Sequence, residues 1–325
     1  MRQQRLLTGL FSGLGIFFLI LDRPTALSGA GEGLKLSLQT VIPGLFPFFF
    51  LTALLSSSLG SCRWMKPLGM LMGVPENCTS LLIPAFLGGY PIGAKTVADC
   101  CNSHSIDKET GKRLLFFCSN AGPAFLFGVL PAVLPEKWMI LSLWGIHIIT
   151  AILISLWIPA VREDPGKAPG NALIKPSQAM TSAVRASALV SGWIICFRIL
   201  IAAADHWVLW RLPQWSQVFA AGLIELTAGC SRLSCIPSVE LRFVFAAGFL
   251  GFGGLCISMQ TASVLGGLPI KPYIIGKLLH GTLSMLLALS VITHTWPVAL
   301  TLALLSVLVS RKLKNRGRKI PVLGV

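Results

Sequence analysis

Charged residues are scarce in this sequence, and the signatures of most enzyme classes are missing from it. Only 12% of the 325 residues are Asp, Glu, Lys or Arg, against about 25% in an ordinary soluble domain. The five histidines and nine cysteines show no metal-ligand spacing, and neither a phosphate-binding loop nor a nucleophile elbow occurs. We therefore expect no enzyme activity, no bound metal and no cofactor.

Apolar runs without charge take up most of the chain instead. Hydrophobic residues make up 54% of it and the mean hydropathy is +0.75. Several runs are longer than the roughly 20 residues that a helix needs to cross a bilayer. We predict an all-α polytopic membrane protein, multi-pass in the cell membrane, with about eight transmembrane helices. Their expected ranges are 5–21, 38–59, 113–134, 138–160, 184–204, 242–266, 272–293 and 296–311.

The net charge of +15 would favour nucleic-acid binding in a soluble protein. Here the basic residues lie between the apolar runs and in the tail, where Lys and Arg hold loops on the cytoplasmic side. We therefore expect the lipid bilayer, and no nucleic acid, as the partner of these charges. A homo-oligomer is compatible with the sequence. The basic tail comprises Arg311, Lys312, Lys314, Arg316, Arg318 and Lys319.

Two apolar segments, near 79–100 and 216–231, are short and interrupted by glycine, proline or an acidic residue. If both crossed the membrane, the 27 Lys and Arg residues would divide almost evenly between its two sides. If both return to the side from which they entered, most of these residues lie with the N-terminus. The positive-inside rule favours the second arrangement. We predict two re-entrant helical hairpins in an inverted repeat, with both termini cytoplasmic.

This topology predicts five regions along the chain. They are an N-terminal transmembrane helix at 1–35, a first repeat at 36–160, a cytoplasmic linker at 161–181, a second repeat at 182–293, and a last helix with the basic cytoplasmic tail at 294–325.

The first hairpin carries candidate substrate-binding residues at its tip. Gly89 and Gly93 permit close approach of the backbone, and Tyr90 and Lys95 supply polar groups between and beyond them. Lys95 has two interpretations. It is either a lysine whose amine reaches the membrane interface, or the anchor for an anionic substrate.

A second candidate lies within the predicted span 113–134, where Gly122 precedes a proline. Such a pair interrupts a helix and frees backbone groups, and Ser119 and Asn120 stand beside it. Asn120 could also serve only as a helix–helix contact. We favour the substrate-site interpretation because of the adjacent break.

The second repeat offers an acidic and a glycine-rich counterpart. Glu225 and Thr227 lie in the second hairpin, and an acid in an apolar segment indicates a proton or cation site. The alternative is an ion pair between Glu225 and Arg198, the arginine within the preceding span. Gly254, Ser258 and Gln260 follow in the next span, and its glycines are also explained by close helix packing alone.

At these residues the chain resembles the YlbJ family of sporulation integral membrane proteins, which carry the Gate domain shared with nucleoside transporters. The similar segments include Gly89-Tyr-Pro-Ile-Gly-Ala-Lys95, Asn120-Ala-Gly-Pro123 and Glu225-x-Thr-x-Gly229. The resemblance also covers Pro43-Gly-Leu-Phe-Pro47 and Gly251-Phe-Gly-Gly254 followed by Gln260. It implies a carrier-like fold with inverted repeats and a role in endospore formation, where the family is linked to dipicolinate movement.

The function we expect is secondary transport of a small organic anion, with dipicolinate as the example that the resemblance suggests. A scaffold or signalling component of spore envelope assembly, without transport, is the alternative from another class. A nucleoside carrier is a third, since it follows from Gate-domain kinship alone. Polar residues in both hairpins favour transport, because a scaffold gains nothing from Glu225 and Lys95 within apolar segments.

Overall fold

The computed structural model describes residues 2–59, 62–159 and 174–317, and these residues form helices and turns without any strand. The helices, numbered in chain order, are α1 Arg2–Leu21, α2 Arg23–Leu36, α3 Ile42–Leu59, α4 Lys66–Met72, α5 Leu82–Leu87, α6 Ile92–Asn102, α7 Lys108–Leu114, α8 Pro123–Val129, α9 Lys137–Trp157, α10 Pro176–Trp207, α11 Gln214–Ile224, α12 Leu226–Arg232, α13 Val239–Phe252, α14 Gly254–Ala262, α15 Lys271–Ile292 and α16 Trp296–Gly317.

Five helical stretches of the described chain are long and apolar enough to cross a membrane, by length and composition. They are Arg23–Leu54, Lys137–Trp157, Pro176–Trp207, Val239–Ala262 and Lys271–Ile292. Four shorter apolar helices, Ser12–Leu21, Cys78–Leu87, Pro123–Ala132 and Trp296–Leu308, accompany them. The prediction of an all-α polytopic membrane protein is confirmed. The count of eight spans and the sidedness of the termini stay predictions.

One boundary predicted from the sequence is wrong, and one predicted break is longer than the Gly-Pro pair alone. The break at Gly122 within the range 113–134 is present and wide, because α7 ends at Leu114 and helical structure resumes only at Pro123. The second span does not begin near 38, because α2 passes through a π-helical turn, Ser37–Val41, directly into α3. Asp22 begins this long helix by accepting a hydrogen bond from the Thr25 amide, which satisfies one of the free N–H groups of the first turn.

The same succession of elements occurs twice along the chain. A long helix is followed by two short helices that meet at a break, then by an interrupted helix, then by another long helix. In the first half these are α2–α3, α5–α6, α7–α8 and α9. In the second half they are α10, α11–α12, α13–α14 and α15. This order agrees with a repeat, while the inverted relation stays a prediction. The linker residues 160–173 and the tail residues 318–325 lie outside the described residues.

Small residues let the long helices approach closely. A Cβ atom at Gly29 would lie 2.8 Å from the Arg198 carbonyl oxygen, and one at Gly33 would lie 2.7 Å from the Ile195 Cα. These glycines, four residues apart, form the face of α2 that packs on α10. The α13–α15 contact has the same character, because a Cβ at Gly251 would lie 2.6 Å from the Gly281 Cα.

Arg113 joins three elements at one end of the bundle. Its guanidinium donates to the carbonyls of Met72 and Gly73 where α4 ends, at 2.7 and 2.8 Å. It also donates to the carbonyls of Ser155 and Pro159 at the end of α9, at 3.0 and 2.8 Å. Carbonyls at helix ends have no partner within their own helix, so one buried arginine satisfies several of them at once.

The close packing of α2 on α10 predicts that alanine has opposite effects on stability at two glycines of α2. Gly33→Ala should destabilise the protein by about 1–3 kcal/mol, because the new methyl group meets the α10 backbone. Gly31→Ala is the control, since a Cβ there has no atom within 4 Å and alanine favours a helix. Thermal unfolding in detergent micelles measures both. Equal melting temperatures for the two variants would contradict this packing.

Candidate functional site

Each half of the chain brings the tip of its hairpin against the break in the next helix. In the first half, the tip between α5 and α6 lies on Gly122, where a Cβ atom would stand 2.7 Å from the Gly89 nitrogen. In the second half, α11 and α12 meet at Glu225, and a Cβ at Gly254 would stand 3.3 Å from the Leu226 nitrogen. Gly254 also has a φ of +78°, a conformation that glycine adopts without strain. Both contacts therefore depend on glycine.

Both hairpin tips and the first break line a cavity of about 120 Å³, and α14, which begins at the second break, lines it with Ile257 and Gln260. Tyr90 lines it from the first hairpin and Gly122 from the break after it. Glu225 and Thr227 line it from the second hairpin, and Gln260 from α14. A dry cavity of about 150 Å³ is enough to hold a benzene ring. The cavity is smaller than this, so a ring compound that enters it has to displace some of the lining side chains.

Part of the cavity wall comes from residues that are not among our candidate substrate-binding residues. Thr40 and Gly44 face it from the π-helical turn and the start of α3, and Phe125 and Gly128 face it from α8. A π-helical turn within a longer helix is rare and is frequent at functional sites. It has no simple sequence signal, since Ser37–Val41 contains neither glycine nor proline.

Glu225 is buried, and the surrounding structure satisfies its carboxylate. It accepts hydrogen bonds from the amides of Thr227 and Ala228, at 2.8 and 2.7 Å, and so begins α12. The Arg198 guanidinium lies 3.3 Å from Oε2, the same carboxylate oxygen that accepts from Ala228. The side chains of Arg198 and Glu225 are 14% and 4% exposed. The structure thus places the acid in an ion pair at the cavity wall.

The remaining predicted residues do not line the cavity but hold its hairpins and breaks in place. Asn120 donates to the carbonyls of Ala85 and Phe117, at 3.3 and 2.9 Å, and ties the hairpin arm α5 to the break. A Cβ atom at Gly93 would overlap the Cys118 carbonyl, so this glycine lets α6 pack on the same break. Ser258 donates to the Gly254 carbonyl at 3.1 Å and steadies the second break.

The position of Lys95 does not fit its interpretation as the anchor for an anion in the cavity. It is not among the residues that line the cavity, and its side chain is 25% exposed. Its amine lies 2.6 Å from Asp99, one turn further along α6. The positive charge is already compensated by an acid that is four residues away in the same helix. The geometry therefore gives Lys95 no contact with a ligand in the cavity.

Lys277 is the buried cation that sequence reasoning missed. It belongs to the predicted span 272–293, which holds none of our candidate residues, and it lies fully buried in α15. Its amine donates to the Ser119 carbonyl and stands 4.9 Å from the centre of the Tyr90 ring, behind the cavity wall. The available signal was the spacing of Lys277, His280 and Ser284, which lie on one face of a helix that is otherwise mostly apolar.

Comparison with known proteins finds a match to a sporulation membrane protein. The chain is 24% identical over 319 aligned residues to the sporulation integral membrane protein YlbJ of Bacillus subtilis (strain 168). The alignment covers 81% of this chain and 76% of that protein. The chain is thus similar to YlbJ along most of the length of both sequences. The resemblance inferred from the hairpin and break residues is confirmed, and so is the assignment as an integral membrane protein.

No family model matches the chain, and no solved structure matches it. The kinship with Gate-domain proteins therefore stays a prediction.

The Glu225–Arg198 pair predicts a stability effect that an exposed pair does not share. Glu225→Gln should lower stability by about 1–3 kcal/mol, because it leaves a largely buried guanidinium without its charged partner. Adding Arg198→Gln should recover much of this loss. The control is Glu76→Gln, which breaks the exposed Lys66–Glu76 pair and should cost about 1 kcal/mol or less. Melting temperatures in detergent compare the variants, and a Glu225→Gln protein as stable as the control would contradict the pairing.

Proposed function

We propose that this protein is a secondary transporter of a small organic anion and that it acts in endospore formation. The observation that carries the proposal is the cavity lined by both hairpin tips, by the first helix break and by α14, which begins at the second break. In secondary transporters, substrate sites are typically formed by interrupted helices where two repeats meet. The role in sporulation follows from the name of the YlbJ relative.

The charges around the cavity support an anion as the substrate. Glu225 is neutralised by Arg198 and by two backbone amides, so it presents little free negative charge. Lys277 adds a cation behind Tyr90, and no acid of the described residues forms an ion pair with it. A bound carboxylate would supply the missing negative charge, and the rings of Tyr90 and Phe125 suit an aromatic substrate. Dipicolinate, a small aromatic dicarboxylate, has both properties.

Uptake of labelled dipicolinate into proteoliposomes that contain the full chain tests this proposal. Gly128→Leu places a side chain in the cavity without a backbone clash, because a Cβ there has no atom within 4 Å. It should lower uptake about tenfold or more, which corresponds to about 1.4 kcal/mol. The control is Gly145→Leu in α9, which also has open space around the Cβ but does not line the cavity.

Three outcomes would contradict the proposal in different ways. Equal uptake by the two leucine variants would remove the cavity from the transport path. Uptake of uridine in place of dipicolinate would favour the nucleoside carrier. No uptake of either compound by the wild-type protein, at normal insertion into the liposomes, would favour a scaffold.

A further inference from the structure

Two buried histidines contact each other where α9 packs on α15. His147 Nδ1 lies 2.8 Å from His280 Nε2, and the two ring centres are 4.9 Å apart. Both side chains are buried. The outer nitrogens, Nε2 of His147 and Nδ1 of His280, have no hydrogen-bond partner among the described residues. Buried polar atoms normally have a partner, so this pair requires an explanation.

The chemistry of imidazole shows what such a pair can do. In a neutral pair, one ring donates its N–H to the other, which leaves one outer nitrogen with a lone pair and the other with an N–H. A proton that arrives at the lone pair and another that leaves the opposite N–H reverse the hydrogen bond between the rings. The pair can therefore hold one additional proton or pass one across the interface between the helices.

Lys277 lies one turn before His280 on the same helix. Its amine donates to the Ser119 carbonyl and faces the rings of Tyr90 and Tyr273, at 4.9 and 5.9 Å from their centres. No carboxylate of the described residues forms an ion pair with it. A charged lysine at the centre of a membrane helix costs on the order of 2.5–3.5 kcal/mol. Lys277 is buried in the first third of α15, so a nearby anion would stabilise its protonated form.

The ionisable groups around this cluster come from several elements, and none of those in the described part of the chain is a carboxylic acid. The long helix α13 presents Gly248 and Gly251 to α15. The ionisable neighbours are His147 from α9, Tyr273 from α15, Tyr90 from the first hairpin and Cys118 from the break that follows it.

The cluster also adjoins the cavity. Tyr90 belongs to the cavity lining, and the Lys277 amine stands 4.9 Å from the centre of its ring. Ser119, whose carbonyl accepts from Lys277, belongs to the same break as the cavity residue Gly122. Lys277 does not itself line the cavity, but it contacts two segments that do.

We infer that His147, His280 and Lys277 form a proton-binding site that is coupled to the anion in the cavity. The bound anion stabilises one added proton in the cluster, and loss of the anion releases it. The proton comes from water and returns to water, and only N–H bonds form and break. The inference rests on the proposed function, and it makes the transporter a symporter of anion and proton. Glu225 is not needed for this coupling, because its carboxylate is already satisfied.

Binding of dipicolinate to the purified full chain, measured by calorimetry between pH 6.5 and 8.5, tests the coupling. Linkage of one proton to one anion predicts that affinity falls about tenfold for each unit of rising pH. The heats in two buffers of different ionisation enthalpy should report uptake of about one proton per anion. The carboxylates of dipicolinate stay ionised over this range, since carboxyl groups titrate near pH 4.

Variants locate the proton within the cluster. His280→Gln should reduce the pH dependence to less than threefold per unit. Lys277→Met should lower affinity at pH 6.5 about tenfold or more, because a cation behind the cavity wall attracts the anion through a region where water screens little. The controls are His206→Gln and Lys271→Met, which change exposed residues outside the cluster. They should keep the wild-type profile.

The wild-type profile alone decides the main question, even where a variant fails to fold. A dissociation constant that stays within about twofold from pH 6.5 to 8.5 overturns the coupling and leaves anion transport intact. A wild-type slope that persists unchanged in His280→Gln and Lys277→Met overturns the assignment to this cluster. Absence of dipicolinate binding at every pH contradicts the proposed function, and the coupling falls with it.

Discussion

The contact between hairpin tips and helix breaks is the constraint on which the rest of this structure depends. Backbone groups outside a helix are costly at membrane depth unless protein or a cavity satisfies them. In this chain, Gly89 meets Gly122, and the backbone around Glu225 meets Gly254. Each interrupted segment therefore covers another, and the space left where the two sets converge is the cavity. Larger side chains at these positions would separate the segments and expose their backbone.

Charged side chains within the bundle also have partners that compensate them, with one exception on which the functional argument rests. Glu225 and Arg198 compensate each other, and Lys95 is neutralised by Asp99. Arg113 has no carboxylate but donates to several helix-end carbonyls. Lys277 has a carbonyl and two aromatic rings but no acid among the described residues. A buried amine with no acid beside it among the described residues is suited to an anionic ligand in the neighbouring cavity, and the histidine pair gives the site a means to exchange a proton.

The sequence predicts the membrane class, both hairpins, the Gly122 break and the candidate residues of the second hairpin, because glycine, proline and acids within apolar runs are local signals. It does not predict which residues meet across the bundle. The placement of Lys277 depends on how α15 packs against the first hairpin, and positive-inside counting treats every basic residue near a helix end as a loop residue. The His147–His280 contact and the π-helical turn depend equally on tertiary packing. For Lys95 the signal is local, because Asp99 lies one turn away on the same helix and pairs with its amine.

The central claim is that the space between the two hairpins binds a small organic anion. A crystal structure of the full chain grown with dipicolinate tests it most directly. We predict the ligand in the cavity, with its ring against Tyr90 and a carboxylate turned toward the Lys277 side, and both hairpin tips still seated on their breaks. Dipicolinate bound at another place, or an empty cavity at a concentration that saturates the protein in solution, would contradict the claim.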